Sequence, residues 1–183
     1  MMPSDDAKTN ALVRMPVETV VDPSPTTLRR ALGQFCSGIT IISSVVDNEP
    51  VGLTCQSFFS VSLDPPLVAF SVSTTSTSFP RIQRVGECTI NVLSDNQQEL
   101  SNAFARSGTD KWLNVEWRPG RKGHPILPSA LAWFECTIET ITLAGDHYLV
   151  VARIAHLAYN EESSPLVYFR GKYGIVNNHH SVM

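Results

Sequence analysis

The chain has 183 residues, 43% hydrophobic and 17% charged, with a formal net charge of −3. That is the size of one domain with a substantial core, burying roughly two-thirds of its unfolded surface. No basic run exceeds Arg29-Arg30, which argues against a nucleic-acid footprint, and no apolar run approaches the roughly 20 residues that span a bilayer.

Residues 1–22 mix Asp5, Asp6, Lys8 and Asn10 with no continuous apolar stretch. They read as a flexible arm, not a signal peptide. Ser24 or Thr26 is placed to cap a helix from Pro25, with Leu28, Leu32 and Phe35 at helical spacing and Gly38 as the stop. Residues 39–46 are rich in β-branched side chains and predict a strand. Asp47-Asn48-Glu49-Pro50 is a turn cluster, and residues 51–58 return as its hairpin partner. After a turn at Asp64-Pro65-Pro66, residues 67–73 form the next strand. Ser76, Thr77 or Ser78 caps a short helix to about Val85, with Pro80 in its first turn.

Residues 87–93 predict a strand and residues 96–105 a helix with Leu100, Ala103 and Phe104 on one face. Residues 106–127 are polar, with scattered Gly and Pro, and read as the longest loop. Residues 131–142 alternate in part: Ala132, Phe134, Cys136 and Ile138 point inward, while Glu135, Thr137 and Glu139 point outward. A turn at Gly145-Asp146-His147 puts His147 at a hairpin tip, residues 148–157 return, and residues 166–169 make the last core strand. Residues 177–183 read as a loose tail. The sum is a mainly β domain over residues 23–176, an antiparallel β-barrel with a few short helices.

Cys36, Cys55, Cys88 and Cys136 lack metal-ligand spacing and read as buried free thiols in a reducing cytoplasm. His124 and His156 have no partner at ligand spacing, and His179-His180 falls in the tail, so no metal is expected. These readings predict a soluble, cytoplasmic protein.

The segment Val51–Phe70 is the most informative. Thr54, Gln56, Ser57, Ser60 and Ser62 put five side-chain hydrogen-bonding groups between positions 54 and 62. A flat ligand with polar edges, such as an isoalloxazine, uses such a set. The run Ser71-Val72-Ser73-Thr74-Thr75-Ser76-Thr77-Ser78 joins a strand end to a helix start, where unpaired amides suit a phosphate. Read alone it is also a Ser/Thr-rich turn with a capping serine. Asn91 reads as a tie to a neighbouring loop.

These residues resemble the short-chain flavin reductases, the reductase components of two-component flavin-dependent monooxygenases. The shared pattern is Gly52, Thr54, Ser57, Phe58, Ser60, Val61, Ser62, Leu63, Pro65, Pro66, Leu67 and Val68. Further matches are residues 33–40, Asn91-Val92-Leu93, residues 100–105, Gly145-Asp146-His147 and residues 166–173, so the resemblance spans about Leu28 to Tyr173. It implies an FMN-binding split β-barrel, usually a homodimer. It implies flavin contacts from Val51, Gly52, Leu53, Thr54, Gln56 and Ser57, with the phosphate and ribityl chain along Ser71, Val72, Ser73, Thr77 and Ser78. Ala103 and Phe104 match positions that close over the flavin, although Phe104 also reads as a core aromatic. His147 matches a histidine that faces the nicotinamide nucleotide. One departure stands out: relatives often carry Lys or Arg in the 71–78 loop, and this chain has Thr74 and Thr75. Backbone amides, Arg81 or Arg84 would then neutralise the phosphate.

Phe169, Arg170, Gly171 and Tyr173 complete the expected nicotinamide set: Arg170, with Lys172, suits a pyrophosphate, Gly171 permits close approach and Tyr173 suits covering a ring; read alone, the run is equally an ordinary strand end with solvated charges. The resulting expectation is an NAD(P)H-dependent reductase of FMN or FAD with no acid–base residue of its own. NADH is favoured over NADPH, because no basic pocket for a 2′-phosphate is visible in the sequence. Reduced flavin would pass to a separate monooxygenase. A flavin carrier or sensor of the same fold is the competing reading, and it would not need Gly145–His147 or Arg170–Tyr173.

Overall fold

The computed structural model describes residues 20–176. The expected tail, nearly all of the expected arm, and His179 and His180 lie outside the described residues. Helix α1 (Pro25–Leu32) starts as the sequence predicts: Ser24 Oγ accepts the Thr27 amide at 3.3 Å, and Pro25 sits where a missing N–H leaves nothing unsatisfied. It ends earlier than expected. The amides of Gln34 and Phe35 turn back onto Ala31 and Leu32, and Gly33 O accepts the Arg170 amide at 2.9 Å, so the chain leaves the helix before Gly38. None of its residues is buried, and Leu28, Leu32 and Phe35 are exposed.

Next come β1 (Ser37–Gly38), β2 (Thr40–Val46), β3 (Glu49–Cys55), β4 (Phe59–Leu63) and β5 (Pro66–Ser73). Helix α2 (Phe79–Val85) leads into β6 (Glu87–Val92), and a 3-10 turn at Asp95–Gln97 leads into α3 (Gln98–Ala105). The remainder is β7 (Arg118–Pro119), β8 (Pro125–Ile126), β9 (Ala132–Ala144), β10 (His147–Tyr159), β11 (Leu166–Phe169) and β12 (Lys172–Ile175). Seven strands form one sheet in the order β3-β2-β6-β9-β10-β5-β4, every pair antiparallel. Strands β1, β11 and β12 form a second sheet, and β7 and β8 a short ribbon.

The large sheet curls until β3 comes to face β5, five places away in strand order. Inside the curl, Ile42, Val46 and Leu53 from one end meet Val68, Phe70 and Val72 from the other, and Cys136, Val150 and Ala152 complete the cluster. Helix α2 closes this core with Phe79 and Ile82; the Phe79 ring stands edge-on to Phe70 at 6.5 Å and 89°. Strand β2 is buried on both faces, because Ile41 joins a second cluster of Ile39, Leu93, Phe104, Leu127 and Leu166 outside the curl. That explains its unbroken apolar and β-branched sequence.

Residues 106–127 form the long connection expected, carrying the two-residue strands β7 and β8, and they bury His124, Ile126 and Leu127. Two expectations need correction. Glu135, read as outward-facing, is fully buried, because this segment covers the outer face of β9. Its Oε1 accepts the Lys122 amide at 2.8 Å, and it fits only because Gly120 has no Cβ; one built there would sit 2.1 Å from Glu135 Oε1. Cys36 is exposed, while the other three thiols are buried. Burial pushes the Cys55 and Cys88 thiols up and Cys136 to about 12, which leaves them un-ionised at neutral pH.

Helix α3 lies against β3 through Gly52. A Cβ there would come within 2.6 Å of the Phe104 ring and 3.2 Å of Trp112. Phe104 is 1% exposed and Trp112 stands edge-on to it at 4.8 Å, so the ring has little room to retreat. Gly52→Ala is therefore expected to destabilise the fold by ~1–3 kcal/mol through overpacking. Urea denaturation reads this directly, and an unchanged midpoint would mean the ring shifts freely.

Candidate functional site

Between β3 and β5 the hydrogen-bonded ladder is missing, and Ser57 bridges the gap. The Ser71 amide donates to Ser57 Oγ at 2.7 Å, and Ser57 Oγ donates to Ser71 O at 3.1 Å. Ser71 Oγ also lies 2.8 Å from Ser57 Oγ, and the Cys55 thiol reaches Ser71 O at 3.6 Å. One hydroxyl thus imitates a strand neighbour, holding the edges together while leaving a seam between them.

A cavity of about 420 Å³ opens on this seam. It is lined by Leu53, Thr54, Gln56 and Ser57 from one side, Ser71, Val72, Ser73 and Thr77 from the other, and Phe104 and His147. A second cavity of about 620 Å³ adjoins it, sharing Thr77 and Lys111, and takes in Val51, Gly52 and Ser78. The two together collect every residue expected at the flavin except Ala103, which packs on the second core cluster while its neighbours Phe104 and Ala105 reach the wall. Thr54 is engaged locally, donating to Ser101 O at 2.7 Å, and Phe104 serves the core as well as the wall.

His147 is the first residue of β10 and not the hairpin tip, which Gly145 (φ +63°) and Asp146 occupy. It pairs across the sheet with Ser73, and this register brings it to the cavity. Its Nδ1 lies 2.7 Å from Asp146 Oδ1, and the imidazole beside it holds the Asp146 carboxyl below its usual range. Asp146 O accepts the Thr74 amide at 2.9 Å and the Thr74 hydroxyl at 3.1 Å, so the hairpin and the hydroxyl loop are tied together.

The start of α2 offers fewer free amides than the sequence suggests. The Phe79 amide donates to Ser76 Oγ at 3.2 Å, Pro80 has none, and the Arg81 and Ile82 amides go to Ser78 O. Arg81 pairs with Glu49 at 3.1 Å and Arg84 with Asp47. Arg81 lines the larger cavity, and Lys111 lines both; no motif marks Lys111, because it sits in the apparent loop. A lone lysine in a polar stretch gives no signal until the fold brings positions 52, 78, 104 and 111 together.

Phe169, Arg170 and Gly171 lie elsewhere in the chain's surface, in the β11–β12 turn beside α1. Arg170 Nε donates to Gln34 Oε1 at 2.8 Å, and its guanidinium stands 4.9 Å from the Phe169 ring centre. Arg170 and Gly171 line a depression of about 340 Å³ with Arg29 and Tyr168, and Gln56 borders both it and the seam cavity. Tyr173 faces inward: its ring stands edge-on to Tyr168 at 5.2 Å, and its hydroxyl lies 2.9 Å from Ser101 Oγ. Lys172 is exposed. Asn91 is the expected tie, fully buried, donating to Ile41 O and Pro125 O and accepting the Leu127 amide.

Residues 32–177 match the family described as "Flavin reductase like domain". The chain belongs to that family. It is 40% identical over 149 residues to the flavin-dependent monooxygenase reductase subunit HsaB of Rhodococcus jostii, covering 81% of this chain and 76% of that one. Among solved structures it resembles a homologue of nitrilotriacetate monooxygenase component B from Mycobacterium thermoresistibile. The TM-score is 0.82 at 38% identity, covering 86% of this chain and 89% of the other. The NADH:FAD oxidoreductase SgcE6 of Streptomyces globisporus, in complex with NAD and FAD fragments, aligns with a TM-score of 0.83 at 28% identity, covering 89% and 99%.

Within this family frame, Ser57→Ala removes the bridge across the seam and leaves the Ser71 amide without its partner. A loss of ~1–3 kcal/mol in unfolding free energy is expected, measured by chemical denaturation. Wild-type stability in the variant would show that the seam is held elsewhere.

Proposed function

We propose that the chain is an NADH-dependent flavin reductase that delivers reduced FMN or FAD to a separate flavin-dependent monooxygenase. The observation that carries this is the seam cavity, where Ser57, Ser71 and Gln56 meet His147. The hydroxyls and the Gln56 amide offer donors and acceptors for the polar edge of an isoalloxazine, while Leu53, Val72 and Phe104 supply apolar surface for its faces. With both partners bound, a hydride passes from the nicotinamide to the flavin, chemistry that belongs to the two ligands. The chain's contribution is to hold the rings in contact and keep water from between them. None of the buried thiols is ionised to act as a nucleophile, so no residue is assigned a catalytic role.

The nicotinamide is assigned to the His147 side of the cavity, with Phe169, Arg170 and Gly171 supporting the rest of the dinucleotide across Gln56 and Tyr173 backing them from within through Tyr168. The NAD of the SgcE6 complex supports NADH over NADPH. The reductase-subunit name of the Rhodococcus relative supports the monooxygenase partner. We further assign the curled sheet to a split barrel and the assembly to a homodimer. Leu28, Leu32 and Phe35 beside α1 and Phe59, Val61 and Leu63 on β4 are exposed apolar side chains that pairing would cover. The reaction is placed in the cytoplasm, where NADH is regenerated.

NADH oxidation with added FMN or FAD tests the reading. Turnover that depends on free flavin is expected; flavin binding without NADH oxidation would make the chain a carrier. His147→Ala is expected to lower kcat/KM for NADH about 10-fold, which is ~1.4 kcal/mol of transition-state stabilisation, and to leave flavin affinity near wild type. Stopped-flow reduction at several NADH concentrations separates binding from transfer. If neither changes, His147 is a turn residue and the nicotinamide lies nearer Arg170.

A further inference from the structure

We propose that Tyr173 is a positioning residue for the flavin: its hydroxyl, acting through Ser101, holds the α3 wall of the seam cavity. This deepens the flavin-reductase reading and rests on it. The sequence suggests a ring cover at this position, and the fold gives the ring and the hydroxyl separate tasks. The ring stands edge-on to Tyr168, which lines the depression beside α1. The hydroxyl lies 2.9 Å from Ser101 Oγ on α3. Tyr173 therefore touches one element of each ligand wall.

Ser101 is fully buried in the middle of α3. Its Oγ pairs with Tyr173, and its carbonyl accepts the Thr54 hydroxyl at 2.7 Å. Thr54 stands on β3 and lines the seam cavity. Two sheets thus clamp one residue of the helix, because β12 belongs to the three-stranded sheet and β3 to the seven-stranded one. The clamp also sets what Thr54 offers a ligand. Its single proton is committed to Ser101 O, so toward the cavity it acts as an acceptor.

Phe104 follows Ser101 by three residues and so shares its helix face. It lines the seam cavity beside Ala105 and packs over Gly52. The C-terminal end of α3 is held by Lys111, whose Nζ donates to Phe104 O at 3.0 Å and to Gly52 O and Ser78 Oγ at 3.4 Å. Lys111 stands on the long connection. Tyr173 is instead fixed in register, paired with Tyr168 across β11 and β12. Without the Tyr173 hydroxyl, Ser101 Oγ can turn back onto a carbonyl of its own helix, and α3 loses its tie to β12. Thr54, Phe104 and Ala105 then shift together, and the flavin meets a looser wall.

Tyr173→Phe keeps the ring against Tyr168 and removes only the hydroxyl. Ser101→Ala removes the other end of the bond and suits a helix interior. FMN affinity is read by fluorescence titration of the full chain, and KM for NADH by steady-state assay at saturating FMN. Each variant is expected to bind FMN about 3- to 10-fold more weakly, the size of one ordinary hydrogen bond. The double variant is expected to match the weaker single variant within about twofold, because both changes break the same bond. KM for NADH is expected to stay within about twofold of wild type. Unchanged FMN affinity in the folded variants, whatever their urea midpoints, overturns the proposal and leaves the bond purely structural. A rise in KM for NADH with FMN affinity unchanged overturns it too, and moves the hydroxyl to the nicotinamide. So does an additive loss in the double variant. Ser101→Ala carries the test alone if Tyr173→Phe does not fold. Wild type that binds no FMN would remove the flavin reading itself, and this inference with it; variants that match a wild type that does bind remove this inference only.

Discussion

Ser57 stands where two strands come together without pairing. A continuous ladder from β3 to β5 would satisfy the backbone on both edges and leave no room between them. The Ser57 hydroxyl instead satisfies the amide and carbonyl of Ser71 and lets the strands part beyond that point. A buried backbone group without a partner is costly, so an unpaired seam persists only where side chains satisfy its edges, or a ligand does. The smaller cavity sits against both edges and the larger one against β3, together with Ser/Thr side chains that a core hairpin would not need.

The walls of the site are rigid for different reasons. Strands β9 and β10 are 13 residues each and carry His147 to the cavity at a fixed register against Ser73. The bonds from Thr74 to Asp146 O then fix the hydroxyl loop to that hairpin. On the opposite wall, the missing side chain of Gly52 lets Phe104 settle on β3, and α3 follows. Lys111 closes the set by reaching back to Gly52 O and Phe104 O. A site built from strand ends and a helix start is therefore positioned by core packing, while its openings stay polar.

The strands were legible because their signals are local. β-branched runs marked β2 and β5, turn residues separated them, and Ser24 and Pro80 marked helix starts. The polar run at Thr54–Ser57 was legible for the same reason, since its density of hydroxyls has no use in a core. What escaped depends on contacts between distant segments. Glu135 looked outward-facing because alternation reports one covered face, and residues 118–127 cover the other. Leu28, Leu32 and Phe35 recur at helical spacing, yet they stay exposed among the described residues. Lys111 became visible only when three segments converged on its ammonium. Arg170 and Gly171 share one expected site with His147, and the fold separates them within the chain except through Gln56.

If the unpaired seam between β3 and β5 receives the flavin, a crystal of the chain soaked with FMN will hold the ring against Gln56, Ser57 and Ser71, one face toward His147. A ring bound in the depression beside α1, or on the outer face of the sheet with the seam cavity filled only by water, would contradict that assignment.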